Sequence, residues 1–288
     1  MAASAARVGT RSGARARARV SAAPTERKVR VPDERKVRVP RCGEARVWEQ
    51  GTGAPLCYLG GLRGLPRWPA FLDRLAARRR VIAPSLPGFP GARGHEELDD
   101  LADWVIATLD LLEASGAAGA DLVGASVGAT LAAEVAAFSR ESVRRLALIA
   151  PFGLFDEREP VADAFALRKG EVAGMLCADP AKYEAFLARP DGEDEIEWQV
   201  TQVRAEEAAA RLLWPTGDRG LGKRLHRIAA PTLLVWGSQD RVVPASYAKR
   251  FASGLGGLVQ IRSVEGAGHM AELDAPDAIA DAVLEFLR

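Results

Sequence analysis

The chain has little of what builds metal centres and disulfide frameworks. Its 288 residues hold three cysteines (Cys42, Cys57, Cys177) and three histidines (His95, His226, His269). The cysteines are scattered and no Cys-x-x-Cys occurs, which excludes a disulfide framework; incidental thiols fit a reducing compartment, and a cytoplasmic protein is expected. Three scattered histidines give no metal-ligand spacing. No apolar run reaches membrane-spanning length, so no membrane span is expected. Neither a phosphate loop nor a dinucleotide fingerprint is present, and the reading is of a protein without cofactor.

Acidic residues are missing from the first 25 positions. Residues 1–41 carry twelve basic side chains against Glu26, Asp33 and Glu34, a net +9, while the whole chain is +1. The remainder is therefore −8, an acidic body, which argues against nucleic acid as its main partner. Residues 1–33 read as a disordered basic tail; their Ala/Arg bias without an apolar core excludes a secretory signal but also suits a transit peptide. Glu26-Arg27-Lys28-Val29-Arg30-Val31-Pro32 recurs as Glu34-Arg35-Lys36-Val37-Arg38-Val39-Pro40. The second copy, with valine alternating with charge, is assigned as a first, edge strand.

What is present is a serine in an unusual setting. Gly124-Ala125-Ser126-Val127-Gly128 lies between a short apolar run and an Ala-rich helical run. A tight strand-to-helix turn of this kind exposes a serine hydroxyl above a sheet and needs small residues where backbones approach. A hydroxyl needs a base, and His269 stands in Gly266-Ala267-Gly268-His269-Met270, just after the strand-like 259–264. A base needs an orienting carboxylate. Asp240 follows the buried-strand run 231–236, so it ends one strand as His269 ends the next. A rival acid after the 144–150 strand, Asp156, lies six residues past it and fits less well.

The order Ser126, Asp240, His269 is that of α/β-hydrolases, and the resemblance extends further. Leu59-Gly60-Gly61-Leu62, Ala83-Pro84-Ser85-Leu86-Pro87-Gly88-Phe89, the serine turn, Trp236 through Pro244, and Gly268-His269 followed by Asp274 and Pro276 are similar to that superfamily's stretches, in its capped serine-hydrolase branch. They cover roughly residues 45–288. Two positions depart: Gly60-Gly61 stands where His-Gly is usual, and Ser85 where an acid is usual. The resemblance implies an oxyanion hole from the backbone N–H groups of Val127 and Leu62.

Candidate strands at 35–39, 45–50, 56–60, 80–84, 120–124, 144–150, 231–236 and 259–264 alternate with helical patterns, among them 97–114, 127–138 and a final helix behind Pro276. The fold expected is a mainly parallel eight-stranded sheet with helices on both faces, the α/β-hydrolase fold, with an inserted helical cap. Its core is residues 34–151 and 229–288. The cap is 152–228, with helical segments near 160–176, 180–188 and 195–213. Phe152, Leu154, Trp198, Leu213 and Trp214, with Leu212, are candidates to line a substrate pocket. His95 and His226 are expected on the surface. The function read here is hydrolysis of an ester or related acyl bond of a small, largely apolar molecule. Alternatives with the same triad are C–C hydrolysis of a ring-cleavage diketone, peptidase or acyltransferase chemistry, and a non-catalytic ligand receptor.

Overall fold

The computed structural model describes residues 32–288. The basic tail and nearly all of the first repeat copy lie outside the described residues. The second copy forms β1 (Asp33–Val39), which turns through Arg41 into β2 (Gly43–Gln50). These two strands and β2 against β4 pair antiparallel. All other pairs are parallel, in the order β1-β2-β4-β3-β5-β6-β7-β8. The remaining strands are β3 (Pro55–Leu59), β4 (Arg80–Pro84), β5 (Asp121–Ala125), β6 (Leu146–Ile149), β7 (Thr232–Gly237) and β8 (Val259–Val264).

Side chains of the central strands alternate between two cores. Tyr58, Val123, Ile149 and Val235 face one, with α1 (Ala70–Ala76) and α9 (Pro276–Phe286) packed on it. Leu59, Leu122, Leu148 and Trp236 face the other, beneath α2 (Leu101–Ala114), α3 (Val127–Phe138) and α7 (Tyr247–Gly254). β5, β6 and β7 are buried along their whole length, which is why they read as unbroken apolar runs. β8 is the opposite edge and is largely exposed.

Between β6 and β7 the chain makes α4 (Lys169–Leu176), α5 (Pro180–Leu187) and α6 (Glu195–Leu213) and no strand. This inserted segment joins the core through loops at the carboxyl ends of the strands. Met270 N–H donates to the Leu176 carbonyl (2.8 Å), and Asp274, in the short α8 (Ala271–Asp274), accepts from the N–H groups of Gly268 (2.7 Å) and Ala178 (2.8 Å). One carboxylate thus fixes the His269 loop and the segment together.

The structure corrects the sequence expectations at three places. The helix expected over 97–114 begins at Leu101, because Asp100 caps it: its carboxylate accepts from Ala102 (2.8 Å) and Asp103 (3.1 Å) N–H groups, so the acids before it lie outside the helix. The helix expected from 160 begins at 169; Asp163 bonds the N–H of Phe165 and holds a turn instead. His95 is buried, not on the surface. Its loop folds under α6, leaving the ring between Gly88, Ala208 and the carboxylates of Glu96 (3.3 Å) and Glu207 (3.5 Å). Among the described residues no helix is long and apolar enough to cross a membrane.

Candidate active site

Ser126 directly follows β5 and stands at the N-cap of α3 with φ 52° and ψ −116°, a conformation that a side-chain-bearing residue rarely adopts. The turn persists because its neighbours over-determine it. Ser126 N–H donates to the Ile149 carbonyl (2.8 Å), and its carbonyl accepts from the N–H (2.9 Å) and hydroxyl (3.1 Å) of Thr130. The flanking glycines are needed for space. A Cβ on Gly124 would stand 2.6 Å from the Ala129 nitrogen, and one on Gly128 2.5 Å from the Gly60 carbonyl oxygen.

The three sequence-singled residues meet above this turn. Ser126 Oγ lies 2.8 Å from His269 Nε2, and His269 Nδ1 lies 3.0 Å from Asp240 Oδ2. Asp240 is itself held, its Oδ1 accepting from the N–H groups of Val242 (2.8 Å) and Val243 (2.9 Å). The His269 and Asp240 side chains are fully buried and Ser126 is 2 % exposed. Phe152 packs against the imidazole in a T-shaped pair, centroids 5.2 Å apart. A hydroxyl, an imidazole and a carboxylate in this sequence of contacts can pass the serine proton to the ring while the carboxylate orients it and stabilises its charge. Asp156 is committed elsewhere, to Arg158 and Arg250.

Leu62 is buried in the loop after β3, and its neighbour Gly61 comes close enough that a Cβ there would be 3.4 Å from Ser126 Cβ. Val127 is the first residue of α3, so its N–H has no helical partner. Beside Leu62 lies a cavity of about 10 Å³, lined by Arg63 and Glu206 and by the apolar side chains of Phe165, Val172 and Leu176. Of the expected pocket residues, Phe152 reaches the triad. Leu213 and Leu212 are buried in the packing of α6, and Leu154 rests against Gly222. Trp198 donates its indole N–H to the Leu187 carbonyl (3.2 Å), tying α6 to α5, and Trp214 is 57 % exposed beyond the end of α6. The structure does not bring these last five to the cavity.

One group escaped the sequence reading. Glu272, three residues past His269, is 3 % exposed, and a Cβ on Gly61 would stand 3.8 Å from its Oε1; its Oε2 has no hydrogen-bond partner. Burial pushes its carboxyl up to about 7, with Asp274 and Asp240 adding and a backbone hydrogen bond and His269 opposing. Its only sequence signal is nearness to His269. The third histidine, His226, is exposed, and all three cysteines are buried and free. Among the described residues no group of three or more His, Cys, Asp or Glu side chains gathers to hold a metal ion.

Known proteins are similar to this chain in sequence or in fold. The dihydrolipoyllysine-residue acetyltransferase component of the acetoin cleaving system of Pseudomonas putida is 31% identical over 253 residues, 82% of this chain and 64% of that protein. The chain thus spans under two thirds of that relative's length. A 2-hydroxymuconate semialdehyde hydrolase of Pseudomonas sp. (strain CF600) is 25% identical over 83% of this chain and 88% of that protein. Among solved structures, 2-hydroxy-6-oxo-6-phenylhexa-2,4-dienoate hydrolase from Rhodococcus sp. strain RHA1 superposes with a TM-score of 0.71 at 20% identity, covering 89% of this chain and 99% of that one. The model of the alpha/beta hydrolase family matches residues 52–282, and with the eight-stranded sheet, its helices and the serine turn already described, the chain belongs to that family.

Proposed function

We propose that this family member is a serine hydrolase that cleaves an ester or related acyl bond of a small, largely apolar substrate. The observation that carries the reading is the buried relay Ser126 Oγ–His269–Asp240, with both hydrogen-bond distances at 3.0 Å or below. His269 Nε2 takes the serine proton as Oγ attacks the carbonyl carbon. The tetrahedral oxyanion is held by the N–H groups of Val127 and Leu62. Nε2 then returns the proton to the leaving oxygen, and the acyl group stays on Ser126 until water, deprotonated by the same nitrogen, releases it. In this reading residues 152–228 are a cap, and its walls of Phe165, Val172 and Leu176 favour apolar acyl groups.

A second reading is C–C bond hydrolysis of a ring-cleavage diketone. It is favoured by the likeness to the 2-hydroxymuconate semialdehyde hydrolase along nearly the whole of both chains. The same triad serves both. The test is a panel of p-nitrophenyl esters of increasing acyl length run beside a ring-cleavage diketone. Saturable ester turnover with a length optimum supports the first reading; turnover of the diketone alone replaces it with the second.

A further inference from the structure

With Gly60-Gly61 in place of His-Gly, the loop that carries Leu62 has no side chain of its own at residues 60 and 61 to brace it. The brace comes from the inserted segment. Gly64 N–H donates to the Gly61 carbonyl (2.8 Å), closing a tight turn whose two central residues are Leu62 and Arg63. The peptide that presents the Leu62 N–H therefore moves with Arg63. Arg63 reaches across to the segment at two points: Nε donates to the Tyr183 hydroxyl of α5 (3.0 Å), and Nη1 to Glu206 Oε2 of α6 (2.9 Å). Tyr183 is buried and the Arg63 side chain is 12 % exposed, so their contact is shielded from solvent, while the Glu206 side chain at the rim is 43 % exposed. Four residues on, Arg67 donates to the Phe186 carbonyl at the end of α5 (3.0 Å) and to the Ala188 carbonyl beyond it.

The cavity beside this cluster, lined by Leu62, Arg63 and Glu206 together with Phe165, Val172 and Leu176, is about 10 Å³, room for about one water. Any movement of the segment away from the strand ends would separate Arg63 from Tyr183 and Glu206. We propose that Arg63 is a positioning residue that couples closure of the inserted segment to the orientation of the Leu62 N–H, so that this oxyanion donor is aligned only when the segment is shut over the substrate. The proposal rests on the serine-hydrolase reading, and it assigns Tyr183 and Glu206 a part in the chemical step although neither touches the reacting atoms.

The experiment measures kcat and KM for the preferred p-nitrophenyl ester in Arg63→Gln, Arg63→Lys and the paired change Tyr183→Phe with Glu206→Gln. Losing an oxyanion donor outright lowers kcat about 100- to 1,000-fold. A donor present but misaligned should cost less, roughly 10- to 100-fold, with KM changed less than about threefold because the contact matters only in the transition state. The paired change acts from the segment side and leaves the loop intact, so it should reproduce the Arg63→Gln loss; combining all three should cost no more than either alone. Arg63→Lys should recover part of kcat. If Arg63→Gln does not fold, the paired change carries the same test. A rise in KM at unchanged kcat, or losses that add, would overturn the coupling. Ser126→Ala run in parallel separates the two failures: an active Ser126→Ala enzyme means the underlying reading is wrong, whereas an inactive one beside an unaffected Arg63→Gln enzyme sinks this inference alone.

Discussion

Glu272→Gln should change how stability depends on pH, and the size follows from the site. The carboxyl is buried against Gly61 with one oxygen unpartnered, and its affinity for a proton rises from the ordinary 4.5 to about 7. Folded protein keeps it neutral where the unfolded chain has ionised it. Its stabilising share is therefore full below the unfolded value near 4.5, falls as pH rises through about 7, and stays lost above that. A shift of about 2.5 units at 1.36 kcal/mol each gives about 3 kcal/mol in all, of which about 2–3 kcal/mol falls between pH 5 and pH 8. Glutamine keeps the shape and cannot ionise. Any fixed cost of burying its amide is the same at both pH values and cancels in the comparison. Denaturant unfolding of both proteins at pH 5 and pH 8 should show the variant gaining about 2–3 kcal/mol on the parent over that interval, or roughly 5–10 °C in melting temperature. The carboxylates held low by backbone N–H groups first and by arginines second, Asp156 and Asp103, respond below this window and do not confuse it. Parallel stability curves for the two proteins would refute the reasoning and mean that Glu272 reaches solvent or a partner.

At the far end of β5, Asp121 is fully buried between Arg79 and Arg144, so Asp121→Ala should strand Arg79 and cost about 3–5 kcal/mol, read as a lower denaturant midpoint. Gly128→Ala pushes a methyl group to 2.5 Å from the Gly60 carbonyl and should cost about 1–3 kcal/mol or more; an unchanged midpoint would show that the β3 loop yields freely. His269→Ala should lower kcat on the order of a million-fold and Asp240→Asn about 10,000-fold, since the carboxylate orients and stabilises the ring without taking part in bond making. Steady-state kinetics on the same ester check both, and an inactive Asp240→Asn beside an active His269→Ala would invert the assigned roles.

What the sequence makes legible here is whatever depends on neighbours along the chain. β5, β6 and β7 are buried on both faces and so leave apolar runs, and Ser126 declares itself through the glycines two residues to either side. Asp240 and His269 are legible because each sits in the short loop that follows a strand. What depends on distant partners is not. Glu272 looks like any acid in a short helix until Gly61 is packed against it. Arg63 looks like a surface arginine, and its partners lie 120 and 143 residues away. His95 sits in a polar stretch, yet α6 covers it, and Trp214 has the composition of a pocket wall but follows the last turn of α6 into solvent. The short α1 and α8 carry too few turns for periodicity to show.

The most direct test of the account is where a covalent inhibitor lands. A small fluorophosphonate, followed by peptide mass analysis, should place one adduct on the peptide containing Ser126 and nowhere else, with ester turnover lost in proportion to labelling. Complete labelling at another residue, or full turnover by protein carrying the adduct on Ser126, would contradict the assignment of Ser126 as the nucleophile.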